Sequence, residues 1–278
     1  MRIKKPSAEN CRAMISGMAY KTCKKRHIPK CIRILISVSV WLCIWQILYR
    51  AVGKDVLIAS PLSVAKRIAE LVVTADFWVK TVSSLFGIMK GYFFGVLAGA
   101  VLAVLTCASK ALYTLFRPML TVIKTTPVVS FIILALVWMT KAQVPVFISF
   151  LMVLPIVWAN LTTAVRETDP LLLEMAKVYG FSPMQILRRI YIPSVLPTLL
   201  TALTTAVGFA WKAGIAAEVI STPFNSVGAQ LYNAKVYLET ADLFAWTAVV
   251  ILLSMLFEKG IVFTVEKISG KAKREGKA

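Results

Sequence analysis

Histidine occurs once in this chain of 278 residues, at His27, and 13 acidic residues stand against 32 Lys and Arg. Paired acids at membrane depth, a His-Glu-x-x-His helix and a nucleophile beside a base are all missing, which argues against an intramembrane enzyme. There is no Gly-x4-Gly-Lys-Ser/Thr phosphate loop, which argues against a P-loop nucleotide site in this chain. Nor is there a long series of alternating ten-residue strands, which disfavours a membrane barrel. The five cysteines are Cys11, Cys23, Cys31, Cys43 and Cys107. All fall in segments expected on the cytoplasmic side or in the membrane, where disulfides are not expected. Cys23, His27 and Cys31 share one helical face and with Cys11 offer four metal ligands. Lys24, Lys25, Arg26 and Lys30 crowd that face with positive charge and the usual paired spacing is absent, so the segment reads as a basic, solvated arm and no metal is expected.

What the sequence has in quantity is apolar length. It is 58% hydrophobic with a mean hydropathy of +0.75, too apolar for a soluble domain of this size. Charge-free runs recur at 34–49, 91–109, 125–140, 142–165, 190–211 and 243–257, several near the ~20 residues that a helical crossing needs. In lipid the backbone must bond to itself, so the runs read as six helices of an all-α polytopic membrane protein.

Orientation follows from the cations. With both termini inside, 22 of the 32 Lys and Arg fall in cytoplasmic segments, as the positive-inside rule requires. The net charge of +19 is then explained by basic ends against an anionic leaflet, and nucleic-acid binding is not expected. The first apolar run lacks a small-residue cleavage pattern before Lys54, so an uncleaved first helix is expected, while Met14 and Met18 are alternative starts. The expected organisation is a basic cytoplasmic arm (1–31), a first transmembrane helix (32–52) and an external segment with an amphipathic helix (53–80). A five-helix core (81–265) containing a structured loop (166–193) follows, and then a basic cytoplasmic tail (266–278).

That loop carries the densest local code. Asp169 caps a helix opening on Pro170, and Gly180 accepts the left-handed conformation that ends it. Ser182, Pro183 and Gln185 then form a capping box for a second helix, expected to finish before Pro193. Leu172, Met175, Ala176 and Tyr179 can share one side of the first helix, and Met184, Leu187 and Tyr191 one side of the second. An apolar knob with a charged rim suits a helix-in-groove contact, although packing under its own bundle satisfies the same pattern.

Glu174-Met-Ala176, then Gly180, then Ile190-Tyr-Ile192-Pro193 resembles the EAA loop of the membrane subunits of type I ABC importers. Met175 and Ile192 replace the usual Ala and Leu. Further stretches are similar to the nitrate, sulfonate and taurine permease branch: Ser60–Val64, Ser83–Ala103 (with Gly87 where Arg is usual), Arg117–Trp138 (with Lys124 for Arg and Met139-Thr140 for Phe-Gly) and Lys212–Ser221. The resemblance implies a MetI-like fold with six transmembrane helices in a bacterial cell membrane. It implies that the hairpin couples to the ATPase through Asp169, Leu173, Glu174, Ala176, Tyr179, Gly180, Phe181, Ser182, Met184, Leu187 and Arg188. The implied partners are two ABC ATPase subunits holding the ATP and Mg, a second permease copy and an external binding protein docking around 221–242 and 60–80. No cofactor is expected in this chain.

Within the membrane, Gly87, Gly91, Gly95 and Gly99 recur every fourth residue and read as a packing stripe. Pro127 predicts a bend in the third crossing, with Thr125, Thr126 and Ser130 placed to satisfy the disturbed backbone. Lys124 is either a functional cation at membrane depth or a snorkelling end. Lys212 and Glu218 are six residues apart and so lie on different helix faces. By resemblance they lie near the interface between permease copies, where contacting substrate, closing a gate and holding helices together are all open to them. Asn160, Trp138 and Trp211 are weaker path candidates. The expected function is the permease subunit of an importer working by alternating access on a small solute, with a carrier or channel independent of an ATPase as the alternative.

Overall fold

The computed structural model describes residues 30–275, which places the basic arm up to residue 29, with its Cys/His group, outside the described residues. The chain divides into two units, 1–51 and 52–278. The first contributes α1 (Lys30–Val52), an apolar helix with Arg50 in its last turn. The second unit holds the remaining helices.

A turn at 54–57 leads to α2 (Pro61–Val73), where Ser60 accepts from the Ser63 amide at 3.0 Å ahead of Pro61, as expected of a cap followed by proline. Thr74 both ends α2 and caps α3 (Ala75–Ala108). With 34 residues, α3 is about 50 Å long at 1.5 Å per residue, well over the ~30 Å hydrocarbon core. Its first turns, with the Asp76–Lys80 ion pair, therefore extend beyond the apolar run that begins at Gly91. The Arg67 guanidinium of α2 forks onto Asp242, with Nη2 donating to Oδ2 at 3.0 Å, and these bonds hold its pKa above the ordinary value.

The third crossing is not one helix. It consists of α4 (Lys110–Thr125) and α5 (Val128–Trp138), bent by 105°. The bend falls at Thr126–Pro127, where proline has no amide to donate and disfavours helix in the residue before it. The Val122 carbonyl accepts from the Thr126 amide at 3.0 Å and also from Thr126 Oγ1 and Thr125 Oγ1 at 2.8 Å and 3.2 Å, so both hydroxyls fold back onto the last turn of α4. The expectation of a single span over 125–140 is corrected accordingly, since α5 has 11 residues and reaches only about 16 Å.

Helix α6 (Val144–Arg166) is the centre of the bundle, with 61% of its apolar window buried. It packs against α3 on one side and α9 (Ile192–Ser221) on the other. Glycine decides the first contact. A Cβ on Gly95 would lie 2.7 Å from Val153 Cβ and 2.9 Å from the Phe150 carbonyl, and one on Gly99 would lie 2.8 Å from the Leu154 carbonyl. Gly91 meets Val146 and Ser149 even more closely, whereas Gly87 has room. The stripe is a backbone-to-backbone seam, as expected where helices associate in lipid by close approach. On α9 the buried residues include a run of small ones, Ala202, Ala206, Ala210, Ala213, Gly214 and Ala217, beside Val207 and Trp211, and Ser149 Oγ donates across to the Ala210 carbonyl at 3.2 Å.

At the other end of α6, Trp158 Nε1 donates to Thr106 Oγ1 at 2.9 Å, Tyr113 stacks on Trp158 with centroids 5.9 Å apart, and the Arg166 guanidinium lies 3.8 Å from the Tyr113 centroid. This ties the ends of α3 and α6 to the start of α4. The remaining helices are α7 (Pro170–Val178), α8 (Pro183–Ile186), α10 (Val227–Val236) and α11 (Thr240–Glu275). Helix α11 runs without interruption through most of the segment expected as a separate tail. Among the described residues four helices are long and apolar enough to cross a membrane, or five if the bent α4–α5 pair counts as one span.

Gly95→Val should lower the stability of the bundle by about 1–3 kcal/mol through overpacking. Gly208→Ala, where nothing lies within 4 Å of a new Cβ, is the control. Thermal unfolding of the detergent-solubilised protein checks this; equal midpoints for both variants would contradict the seam.

Candidate functional site

The hairpin between α6 and α9 forms as its sequence encodes. The Leu171 amide donates to Asp169 Oδ1 at 2.9 Å. Gly180 takes φ +68, and the amides of Phe181 and Gly180 donate back to the carbonyls of Ala176 and Lys177 at 2.9 and 3.1 Å. That double bond is the Schellman closure, which favours glycine at the left-handed position. The reciprocal capping box is present, with Ser182 N donating to Gln185 Oε1 at 2.8 Å and Gln185 N to Ser182 Oγ at 3.4 Å.

Two expectations are corrected here. Ala176 is fully buried and does not share the exposed face with Met175 and Tyr179. The second helix does not finish before Pro193: α8, a π-turn over Leu187–Tyr191 and α9 form one continuous helical rod of 39 residues, Pro183–Ser221. In a regular helix the proline ring would strike the carbonyl four residues back. The π-turn opens the helix just before it, with the Ile192 amide reaching the Leu187 carbonyl.

Outward from the bundle the hairpin presents Leu171, Val178, Tyr179, Met184 and Leu187, from 48% exposed at Leu187 to 85% at Val178. Leu172 and Met175 lie on the same exposed surface. Glu174 and Arg188 are exposed and Leu173 is half-buried. Phe181 is half-buried, with the Arg189 guanidinium 5.6 Å from its ring centroid. Sequence reasoning missed Leu171 and Val178, whose exposure depends on how α7 is rotated against α6. The hairpin is thus closed by its own caps while its outer surface stays apolar and uncovered.

The membrane candidates separate into two groups. Lys124, Pro127, Ser130 and Lys212 are exposed and Thr126 half-buried. Lys124 follows Ile123, which shares an apolar cavity of about 370 Å³ with Leu151. Leu151 lies seven residues into α6, about 10 Å along it, and Lys124 stands in the last turn of α4 beside the elbow. Lys110, Arg117 and Lys124 recur every seventh residue of α4 and are all exposed, as are Thr121 and Thr125 on the adjoining strip. The heptad spacing was the available signal for Arg117 and Thr121, which were not singled out.

Asn160, Trp211 and Glu218 lie further inside. Asn160 Nδ2 donates to the Ile156 carbonyl of its own helix at 2.8 Å. Trp211 is 3% exposed, stacks on Phe257 at 5.6 Å, and its indole N–H has no partner among the described residues. Glu218 is 2% exposed and faces α3 and α10, so it cannot share a groove with exposed Lys212. No group of three or more His, Cys, Asp or Glu able to hold a metal occurs among the described residues.

Comparison with known proteins agrees with this architecture. Residues 91–262 match the model of the family described as "Binding-protein-dependent transport system inner membrane component". The nitrate import permease protein NrtB of Synechocystis sp. is 24% identical over 204 residues, 70% of this chain and 74% of that one. The putative aliphatic sulfonates transport permease protein SsuC of Bacillus subtilis is 23% identical over 214 residues, 76% and 77% of the two chains. Among solved structures, the inward-facing MetNI methionine ABC transporter superposes with a TM-score of 0.57 at 17% identity, covering 67% of this chain and 93% of that one, a likeness of fold.

Ser182→Ala should cost the second hairpin helix about 1 kcal/mol. The expected result is amide exchange at Gln185 faster by roughly fivefold, with the thermal midpoint of the bundle unchanged. Unaltered exchange would show that the capping box does not hold the hairpin.

Proposed function

This chain belongs to the binding-protein-dependent transport system inner membrane component family, and from that membership we propose how its parts serve import. It is a multi-pass permease subunit of an ATP-driven importer and not itself an enzyme. The observation that carries the mechanism is the exposed apolar surface of the capped hairpin, continuous through the π-turn with the α9 rod. The hairpin inserts into a groove of an ABC ATPase subunit, with Tyr179, Val178 and Met184 as apolar anchors and Glu174 and Arg188 on the charged rim. ATP and Mg are held by that partner. The bias of Lys and Arg supports a cytoplasmic hairpin and cytoplasmic termini.

Two copies of the permease enclose the path, and each engages one ATPase. Closure of the ATPases draws the hairpins together, and each rod carries that displacement into the membrane, switching access from one side to the other. The exposed cations Arg117, Lys124 and Lys212, on faces of α4 and α9 that carry no exposed carboxylate, support a small anion as cargo. The nitrate and sulfonate named for the relatives support the same class. An external binding protein delivers the cargo, so much of the specificity lies outside this chain.

Glu174→Lys reverses a rim charge. Gly180→Pro forces φ away from +68 and removes the amide that closes the hairpin. Each should leave membrane insertion intact and weaken association with the ATPase subunit by at least about tenfold, as expected at a contact hot spot. A pull-down of the co-expressed ATPase checks this; undiminished recovery with both variants would overturn the hairpin's role.

A further inference from the structure

The far end of the α9 rod carries a buried polar junction that the import mechanism has not used. Glu218 lies three residues before the end of α9. Its Oε2 accepts from Ser84 Oγ of α3 at 2.8 Å and from the Gly228 amide of α10 at 3.0 Å. Ser84 Oγ in turn accepts from the Val227 amide at 2.9 Å. Val227 and Gly228 are the first two residues of α10, whose amides have no partner within the helix itself. One carboxylate and one hydroxyl therefore satisfy both donors, and the carboxylate sits where the helix dipole favours negative charge.

The junction is also sterically closed. A Cβ at Gly228 would overlap the Glu218 side chain and approach the Val219 amide nitrogen to 2.6 Å, so α10 begins hard against the backbone of α9. The link between the two helices is short, residues 222–226, and Thr222 is held at φ +46, a conformation that a β-branched residue keeps only when its surroundings impose it. This link presents Phe224, 92% exposed.

We propose that Glu218 and Ser84 are positioning residues that latch α10 and its Phe224 knob to the tip of the α9 rod, so that displacement of the hairpin reaches the surface meeting the binding protein. The proposal rests on the reading of this chain as an importer permease. The hairpin and the latch lie at opposite ends of one helix of 39 residues, continuous through the π-turn and past Pro197, so the motion is transmitted along a single element. The latch works in both directions: a binding protein seated on the Phe224 loop and α10 bears on the rod, and through it on the ATPase.

The test uses the permease–ATPase complex in proteoliposomes with its cognate binding protein, comparing Glu218→Ala, Glu218→Gln and Ser84→Ala. Loss of a buried charged acceptor should speed amide exchange at Val227 and Gly228 in Glu218→Ala by at least about tenfold. Basal ATPase should stay within about twofold while the stimulation by the binding protein falls by at least about fivefold, since the altered group touches neither nucleotide nor hairpin. Glu218→Gln keeps an acceptor oxygen and should retain most of the stimulation, a rescue that a merely space-filling role would not predict to track exchange at α10. Should Glu218→Ala fail to assemble, Ser84→Ala carries the same expectations at smaller amplitude. Full stimulation in variants whose α10 amides have lost protection would overturn the latch. A wild-type complex that the binding protein does not stimulate would overturn the importer reading itself, and the proposal with it.

Discussion

Close approach of helix backbones is the constraint on which this structure depends. Inside a membrane, apolar side chains gain nothing by leaving lipid for protein, so helices must be held by dense packing and a few polar bonds. The chain meets this with a glycine seam between α3 and α6 and a row of alanines on α9, so that the backbones come close while larger groups such as Tyr92, Val153 and Trp211 fill the space beside them. The Ser149 bond to the Ala210 carbonyl is possible because those backbones are near, and Gly214 lies where a Cβ would be 2.7 Å from the same hydroxyl.

With this core fixed, the breaks in the fold acquire positions. The elbow at Thr126–Pro127 sits against α6 near Leu151, which places Lys124 beside the 11-residue α5. The π-turn before Pro193 does the opposite. It repairs a break that proline would make, turning hairpin and crossing into one rod. One proline therefore coincides with a sharp bend and the other is accommodated within a continuous helix.

Polar groups follow the same division. Trp158, Thr106, Tyr113 and Arg166 knit the end of α6 near the hairpin, while Glu218 and Ser84 knit the end near α10. Between them the packed faces are apolar, and the cations lie on exposed faces of α4 and α9. Conformational change in such a molecule is a movement of rigid, well-bonded ends about a seam that has few polar bonds to break.

Local chemistry was legible in the sequence wherever the signal spans one or two turns. The caps at Asp169 and Ser182, the left-handed Gly180, the bend at Pro127 and the four-residue glycine spacing all lie within such windows, and the amino acids themselves carry the preference. The family motif lies in the same hairpin, so the class of protein was legible as well. Pro193 misled because proline ends most helices, and the π-turn that rescues it is a property of the backbone around it, not of any one residue. Ala176 misled because periodicity gives a helix face but not what covers it. The role of Glu218 could be decided only in three dimensions, since its partners Ser84 and Gly228 lie 134 and 10 residues away. The sequence by itself determined the helices, their caps and the membrane as their solvent, because those depend on neighbouring residues. Which cations stay exposed, and that Glu218 is buried between Ser84 and Gly228, follow from contacts between segments that the chain order keeps apart.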